Sequence, residues 1–153
     1  MKYLISACLA NIPVRYDGKA YNYGKIAQLI QTHQAITICP EVSGGLDTPR
    51  LAAEIIGGTA QDVLNRTAKV IDSEGNDVTT AFITGAFKAL EIAQKHQVST
   101  VVLKENSPSC GSNFIYDGSF SGTKIVGLGI TAFLLKQHGF HVISEDDFLN
   151  SLD

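Results

Sequence analysis

The sequence predicts a doubly wound α/β domain, in which a mostly parallel sheet is covered by helices on both faces. Short apolar runs of strand length alternate along the chain with segments of helical periodicity, as in repeated βαβ units. Nearly uninterrupted apolar runs of this kind are typical of parallel strands that are buried on both sides. The length of 153 residues suits one domain over 1–153, because the chain shows neither an internal repeat nor an interdomain linker.

The N-terminal third of the chain predicts a strand, a helix and a second strand. The apolar run "KYLISACL" (2–9) has the length of a buried strand, and the turn-rich segment 11–24 predicts a long loop. "KIAQLIQTH" (25–33) spaces its apolar residues to lie on one face of a helix. "AITIC" (35–39) is the second buried strand, and Pro40 ends it.

The segment that follows is less regular and predicts a loop, a helix start and a small excursion. In the loop 41–50, Thr48 has the character of a helix N-cap and Pro49 suits the first helical turn. Residues 57–77 contain a glycine pair and then "KVIDSEGNDVT", which predicts a hairpin with residues 74–76 in its turn.

The C-terminal half resumes the alternation of helix and strand. An apolar stripe with helical spacing predicts a helix over 79–96, and "STVVLKEN" (99–106) predicts a third buried strand. A helix over 125–139, closed by Gly139 at its C-terminal cap, precedes a strand over 140–144. A short helix with a serine N-cap then ends the chain. The whole pattern predicts a Rossmann-like arrangement with a small hairpin excursion.

Composition and charge exclude several classes of protein. The formal net charge is −3 and no basic run reaches five residues, which argues against electrostatic binding to nucleic acid or an anionic membrane. "ISAC" around Cys8 resembles a lipoprotein processing site, but only residues 3–5 precede the small residues, fewer than the ~7 apolar residues that a secretory signal needs. No stretch approaches the ~20 apolar residues of a membrane span.

The cysteine count indicates reduced thiols. The chain has 3 cysteines, so at least one remains free, and such a count in a chain without a recognisable signal argues against a disulfide framework. The sequence therefore predicts a cytoplasmic protein.

The three cysteines all follow predicted strands. Cys8 ends the first strand, Cys39 ends the second, and Cys110 lies in the loop after the third. Because the carboxyl ends of parallel strands share one edge of the sheet, and that edge carries the ligand crevice, we expect the three thiols around one crevice. The competing interpretation is that a free cysteine acts as a small core hydrophobe; it applies best to Cys39, which follows "AITI".

Three converging thiolates suit a soft metal centre, such as zinc, copper(I) or an iron–sulfur cluster. Structural zinc normally takes four ligands, often in closely spaced CxxC pairs, and the chain has no such pair. An iron–sulfur cluster is usually held by four cysteines, so three would leave one iron without a protein ligand. An open position of that kind favours chemistry at the metal over electron transfer alone.

Five segments carry a resemblance to a known family: "SACLANIPVRYDG" (6–18), "CPEVSGGLDTPR" (39–50), "DVTTAF" (77–82), "LKENSPSCGSNFIYDGSFSG" (103–122) and "GLGITAFLL" (127–135). Together they resemble a bacterial family formerly of unknown function (DUF523), now associated with thiouracil desulfurase, or desulfidase, activity. The similarity spans nearly the whole chain.

The resemblance implies an oxygen-sensitive [4Fe-4S] cluster held by Cys8, Cys39 and Cys110. It further implies that the open iron binds the sulfur of a thiolated pyrimidine such as 2-thiouracil, and that water-derived oxygen replaces this sulfur. The acid/base residues of the family correspond to Glu41 of "CPE" and Ser107 of "SPSC".

Five side chains are candidates for binding or acid–base work. Glu41 lies two residues from Cys39 and could activate the attacking water, while Ser109 competes with Ser107 for a hydrogen bond to the substrate. For either serine the alternative is a turn role, with the hydroxyl bonded to local backbone. Arg15 and Arg50 could bind the substrate or neutralise cluster charge, and a surface ion pair with Asp17 is the alternative for Arg15.

Two other functions remain open on the sequence alone. The three-cysteine site could serve a metal- or redox-responsive binding protein without turnover. Alternatively, Cys110 could be the nucleophile of a cluster-free enzyme, although no histidine is evidently placed to activate it. The expected partner of the desulfidase is a small thiolated pyrimidine base or nucleoside.

Overall fold

The computed structural model describes residues 2–10, 12, 15–18 and 23–151. The strands are β1 (Tyr3–Ser6), β2 (Ala35–Ile38), β3 (Ala53–Ile56), β4 (Lys69–Asp72), β5 (Thr100–Leu103), β6 (Phe114–Tyr116), β7 (Lys124–Val126) and β8 (His141–Ser144). The helices are α1 (Gly24–Gln31), α2 (Pro40–Ser43), α3 (Ala60–Leu64), α4 (Thr79–His96), α5 (Ile130–Gln137) and α6 (Glu145–Ser151). Much of the loop expected over 11–24 lies outside the described residues.

The central sheet has the strand order β2-β1-β5-β8, and each neighbouring pair is parallel. Leu4 of β1 lies between Ile36 of β2 and Val101 of β5, and Val101 pairs with Val142 of β8. Strand β2 lies on the far side of β1, and strand β8 lies on the far side of β5, so the connections that leave β1 and β5 diverge. This divergence leaves a crevice beyond the carboxyl ends of the two strands. The predicted parallel sheet is confirmed.

Helices cover both faces of this sheet, so the doubly wound arrangement is also confirmed. Leu4 packs in the same cluster as Phe82 of α4, on one face. The next residue, Ile5, packs on the other face with Ile26 of α1 and Phe148 of α6. All five side chains are at most 2% exposed. Alternating burial on two faces is what nearly continuous apolar strands require.

Helix α4 has the predicted bounds, and its apolar stripe faces the core. Phe82, Ala86, Ala89 and Ala93 are buried along it. The helix ends at Gln97, whose backbone adopts the left-handed conformation. No helix in the described part of the chain is both long and apolar enough to cross a bilayer.

The helix expected to begin at Thr48 is absent, and that prediction is wrong. A four-residue helix, α2, instead begins at Pro40, and the chain then runs through turns and bends at 44–52 to strand β3. A proline favours the first turn of a helix wherever the chain permits one, and Pro40 provides that turn directly after β2. The β-branched pair Ile55 and Ile56 then favours a strand over a helix.

The hairpin predicted within residues 57–77 is present, but it begins earlier, at β3, and it contains a helix. Strand β3 pairs antiparallel with β4, and α3 lies between them, with a capping box formed by Thr59 and Asp62. The predicted turn over 74–76 is present, where the Asp72 carboxylate accepts hydrogen bonds from the backbone N–H groups of Glu74 and Asn76. Because α3 has only five residues, its periodicity is too short to detect in the sequence.

The prediction of a helix over 125–139 is wrong for the first residues of that range. Residues Lys124–Val126 form β7, which pairs antiparallel with β6, and α5 begins only at Ile130. The glycines at 127 and 129 separate the two elements. The end of the helix is as predicted, with Gly139 in a left-handed conformation just beyond it. The serine cap of α6 is also confirmed, since the hydroxyl of Ser144 accepts from the N–H of Asp147 at 3.2 Å.

Candidate active site

The carboxyl ends of β1, β2 and β5 border a cavity of about 490 Å³. Strand β3 and the β6–β7 hairpin also contribute to its lining. Seven of the residues singled out from the sequence line this cavity: Cys8, Arg15, Cys39, Glu41, Arg50, Ser107 and Cys110. The strand ends thus bring together residues that are up to 102 positions apart in the sequence, from Cys8 to Cys110.

Each cysteine lies in the segment that follows its strand. Cys8 lies in a single 3₁₀ turn, Ala7–Leu9, that follows β1. Cys39 occupies the position before α2, and Cys110 lies in the tight turn that follows β5. All three are free thiols. Cys8 and Cys110 are buried at 8% and 6% exposure, while Cys39 is half-buried.

Burial makes these thiols hard to ionise in the absence of a metal. It raises the pKa of Cys8 to about 12, and the charge of Cys39 adds to the effect. Burial also raises the pKa of Cys110, with further contributions from the charges of Glu41, Cys39 and Cys8. The pKa of Cys39 is raised by burial too, although hydrogen bonds from the backbone of Val42 and Glu41 oppose this. Mutual repulsion of this kind is relieved when metal cations bind the thiolates.

A buried ion pair lies beside Cys39. The Nε of Arg50 donates to Oε1 of Glu41 at 3.1 Å, and the two side chains are 8% and 17% exposed. Burial raises the pKa of Glu41, and the neighbouring Arg50 guanidinium partly offsets this. A carboxyl whose pKa is raised by burial is a better proton acceptor than an exposed one.

Arg50 is fixed from several directions. Its Nη1 donates to the carbonyl of Asp47 and to the hydroxyl of Thr48, both at 3.1 Å, and its backbone N–H donates to the carbonyl of Tyr16 at 2.6 Å. Its Nη2 lies 4.0 Å from Sγ of Cys39. Arg50 therefore links a predicted metal ligand to a predicted acid/base residue, even though it lies in an irregular segment and not at a helix start.

Helix α2, which carries Glu41, packs against α4 through two glycines. A Cβ on Gly85 would overlap the carbonyl oxygen of Pro40, and a Cβ on Gly44 would overlap the carbonyl oxygen of Ala81. Only the missing side chains allow the two backbones to approach this closely. The contact fixes α2, and with it Glu41, relative to the core.

The loop after β5 is a compact turn around Cys110. The hydroxyl of Ser107 accepts from the backbone N–H of Cys110 at 2.7 Å, and the carbonyl of Ser107 accepts from the N–H of Gly111 at 2.9 Å. Ser107 thus has the turn role that was the alternative to catalysis, but its hydroxyl hydrogen is still available to donate into the cavity.

Ser109 does not line the cavity. It is 1% exposed, and its hydroxyl lies 3.0 Å from that of Thr131 in α5 and also hydrogen-bonds to the sulfur of Cys110. This placement counts against contact with a substrate and favours Ser107 as the hydroxyl nearer the chemistry.

Sequence reasoning missed Glu105, which organises the same loop. Its Oε1 accepts from the backbone N–H groups of Asn106, Ser112, Asn113 and Phe114 at 2.9–3.3 Å. Its Oε2 accepts from the hydroxyl of Ser112 and the amide of Asn113. Partial burial raises the pKa of Glu105, but these hydrogen bonds outweigh it and hold the pKa below its ordinary value. In the sequence, the only indication of this role is that an acidic residue, Glu105, shortly precedes "CGSN".

Two cationic side chains also line the cavity. Arg15 pairs with Asp17 at 3.8 Å, which was the alternative to a substrate contact, but it still lies on the cavity wall. Lys104, which sequence reasoning missed, pairs with the buried Glu145 at 3.2 Å. Both cations lower the pKa of Cys8, although burial has the larger effect on it.

The thiols and cations of the cavity wall suit some metal centres and not others. In the part of the chain that the structure describes, no group of three or more His, Cys, Asp or Glu side chains is arranged to hold a single metal ion. The three thiols line one cavity, which suits a polynuclear cluster, because each thiolate would then be a ligand of a different iron. Arg15, Lys104 and Arg50 supply positive charge beside the anionic thiolates. The residues fit a cluster with three cysteine ligands.

Comparison with known proteins places the chain in a family. A model of the 2-thiouracil desulfurase family matches residues 3–147. The chain belongs to the 2-thiouracil desulfurase family. One relative, the uncharacterized protein YbbK of Bacillus subtilis (strain 168), is 54% identical over 144 residues, which is 94% of this chain and 95% of that protein.

A solved structure supports the same family. The [4Fe-4S]-dependent thiouracil desulfidase TudS (DUF523Vcz) superposes with a TM-score of 0.85 and 40% sequence identity, over 99% of each chain. The resemblance noted from the motifs is therefore confirmed, and so is the α/β architecture of the chain.

Proposed function

We propose that this chain is a [4Fe-4S]-dependent desulfidase, which replaces the sulfur of a thiolated pyrimidine such as 2-thiouracil with oxygen from water. The observation that carries the proposal is the placement of three free thiols and a buried Glu41–Arg50 pair on one cavity. Its support outside the site is membership of the 2-thiouracil desulfurase family and likeness to TudS.

Cys8, Cys39 and Cys110 would hold the cluster. With three thiolate ligands, a bound four-iron cluster would supply an open, Lewis-acidic iron that polarises a C=S bond. The protein supplies the rest of the environment: a cavity lined in part by buried side chains, and the cations Arg15, Lys104 and Arg50 beside the anionic groups.

Glu41 is the proposed general base. It takes a proton from water as the oxygen attacks the carbon of the C=S group, and Arg50 keeps the carboxylate oriented. The C–S bond then breaks and the carbonyl forms as the new hydroxyl loses its proton. This proton and the one held by Glu41 both go to the departing sulfur, which leaves as hydrogen sulfide. The overall reaction, thiocarbonyl plus water to carbonyl plus hydrogen sulfide, needs no oxidant or reductant.

Ser107 is proposed to donate its hydroxyl hydrogen to the substrate. Its oxygen is held by the N–H of Cys110 at 2.7 Å, which leaves the hydroxyl proton free to point into the cavity. We assign substrate contact to Arg15 as well, because it lines the cavity. Since reduced thiols persist in the cytoplasm, we place the reaction there.

The test is turnover of 2-thiouracil by anaerobically reconstituted protein in water enriched in heavy oxygen. We expect uracil that carries one heavy oxygen, together with equimolar sulfide. Glu41→Gln should abolish most of this activity, whereas Glu91→Gln, a matched change on the exposed face of α4, should not. Uracil without the heavy label would contradict attack by water, and full activity of Glu41→Gln would remove Glu41 from the mechanism.

The alternative function is a metal- or redox-responsive binding protein without turnover, and the comparisons do not favour it. It would bind iron or zinc in stoichiometric amounts and release no sulfide from any thiolated pyrimidine. The same assay therefore separates the two functions.

A further inference from the structure

The cavity has an aromatic wall that the proposed mechanism does not use. Tyr116 and Phe120, from the β6–β7 hairpin and the loop within it, line the same cavity as the three thiols. Phe120 is 40% exposed, so its ring is accessible to a molecule that enters the cavity. An aromatic ring in the wall of a cavity can contact a flat ligand by stacking.

The loop between β6 and β7 holds Phe120 in a specific and unusual conformation. Phe120 has a φ of 56°, in the left-handed region that bulky residues seldom adopt. The loop is closed by hydrogen bonds from the N–H of Asp117 to the carbonyl of Thr123 and from the N–H of Ser119 to the carboxylate of Asp117, both at 2.9 Å. The hydroxyls of Ser119, Ser121 and Thr123 form a further chain of contacts at 2.6 and 2.8 Å. Strain of this kind persists where surrounding contacts enforce it, and it is common at ligand-binding loops.

Glu54 of β3 fixes this loop to the body of the protein. Its side chain is 7% exposed, and Oε1 accepts from the backbone N–H groups of Gly118 at 2.9 Å and Phe120 at 3.3 Å. Gly118 has a φ of 94°, and a Cβ there would lie 2.7 Å from the carbonyl oxygen of Ile55. The loop is therefore held against β3 at adjacent points, one of them a charge-assisted hydrogen bond directly to the residue that lines the cavity.

Tyr116 is held separately, through its partner strand. Its ring lies 5.9 Å from the Nζ of Lys124, and the two residues are paired in the β6–β7 register. This cation–π contact links the ring to the partner strand. Both aromatic residues of the hairpin are thus tied to a charged group, Tyr116 through its ring and Phe120 through its backbone N–H.

The geometry points to Phe120 as the surface on which the planar ring of the substrate stacks, and to Glu54 as the positioning residue that holds Phe120 there. This inference rests on the proposed function, and it assigns recognition of the flat ring of the substrate to a named side chain. Aromatic stacking accepts any flat π-system and reads no particular substituent. A cavity with such a wall is therefore expected to favour ring thiones over small acyclic thiocarbonyl compounds.

The first test is the steady-state kinetics of cluster-loaded Phe120→Ala with 2-thiouracil. Loss of one base–aromatic stack should raise KM about tenfold, with kcat within about twofold of wild type. Phe120→Tyr keeps the ring and should restore the wild-type KM, and Phe87→Ala removes a phenylalanine that is 51% exposed on α4 and should change nothing. Iron content and the visible spectrum should be equal in all four proteins. An unchanged KM in Phe120→Ala would overturn the inference.

The second test addresses Glu54 through a pair of conservative variants. Glu54→Asp withdraws the carboxylate by one methylene from the Phe120 N–H and should raise KM as Phe120→Ala does. Glu54→Gln keeps an acceptor oxygen at the same reach and should stay within about threefold of wild type. If both variants lose kcat and cluster together, Glu54 supports the fold and does not position Phe120. A thermal denaturation curve for each variant shows whether it is folded.

Equilibrium dialysis of uracil against cluster-loaded protein supplies a readout that does not depend on turnover. Phe120→Ala should bind uracil about tenfold more weakly than wild type does. The results distinguish failure of the proposed function from failure of the stacking inference. Absence of wild-type turnover with any thiolated pyrimidine contradicts the proposed function. Wild-type turnover combined with unchanged KM and uracil binding in Phe120→Ala contradicts only the stacking wall.

Discussion

Glu105 is the residue whose replacement tests most directly how the loop of Cys110 is built. Its two carboxylate oxygens accept six hydrogen bonds, four from backbone N–H groups and two from side chains of Ser112 and Asn113. We predict that Glu105→Ala loosens this loop, destabilises the protein and weakens retention of the metal centre at Cys110.

The magnitude follows from which donors water can reach after the substitution. Asn113 and Phe114 are exposed, so their N–H groups can be hydrated at little cost. Ser112 is 3% exposed and contributes two donors that would be left buried without an acceptor. Each buried unsatisfied donor costs about 1–3 kcal/mol, so Glu105→Ala should lower the free energy of unfolding by roughly 2–6 kcal/mol. For a domain of this size the melting temperature should fall by about 4–24 °C.

Glu105→Gln should cost about half as much. Its amide oxygen can still accept from the backbone donors that face Oε1, but the amide –NH₂ cannot accept from the two side-chain donors that face Oε2. The assay is thermal denaturation of cluster-free protein under anaerobic, reducing conditions, followed by iron determination after reconstitution. Glu91→Ala, on the exposed face of α4, is the matched control and should stay within about 0.5 kcal/mol of wild type.

Acid should reduce the difference between wild type and Glu105→Ala. Because the folded protein holds the pKa of Glu105 below its ordinary value, the stability from this carboxylate is fully present above the unfolded pKa, about 4.3, and is lost as the pH falls through the folded value. A melting temperature for Glu105→Ala equal to that of Glu91→Ala at neutral pH, with the same iron content, would refute this reasoning.

Three further predictions concern the ion pair and its support. Glu41→Gln should lower kcat by about 10²–10⁴ without loss of iron, and a rate within twofold of wild type would argue against general base catalysis. Arg50→Lys cannot reproduce the hydrogen bond from Nε and should lower kcat by roughly one to two orders of magnitude; a wild-type rate would show that the charge alone suffices. Gly85→Ala places a methyl group against the Pro40 carbonyl and should cost about 1–3 kcal/mol in a denaturation experiment, whereas Gly24→Ala, with no atom within 4 Å of the added Cβ, should be tolerated. Equal stability of the two glycine variants would contradict the proposed close packing of α2 on α4.

The parallel sheet and the grouping of the cysteines could be predicted from the sequence because both depend on local patterns. A buried parallel strand needs a continuous apolar run, and "STVVLK" has one. Once three such strands are recognised, topology alone brings Cys8, Cys39 and Cys110 to one edge. The long helix α4 was predictable to the residue because eighteen residues give a clear periodicity.

The short elements around the cavity were not predictable in the same way. Helix α3 has five residues and strands β6 and β7 have three each, so their formation depends on tertiary contacts and not on local propensity. The role of Glu54 could not be predicted for a related reason, since its hydrogen-bond partner Gly118 lies 64 positions away in the sequence. The choice between Ser107 and Ser109 was also open, because which hydroxyl faces the cavity depends on how the turn is oriented against α5.

The most direct test of the central claim is the iron and acid-labile sulfide content of protein reconstituted without oxygen, measured for wild type and for each cysteine-to-serine variant. The account predicts about four irons and four sulfides per chain in wild type, and loss of the cluster in Cys8→Ser, Cys39→Ser and Cys110→Ser. Wild-type protein that binds only zinc or no metal after reconstitution, or a cysteine variant that retains full cluster and full 2-thiouracil turnover, would contradict it.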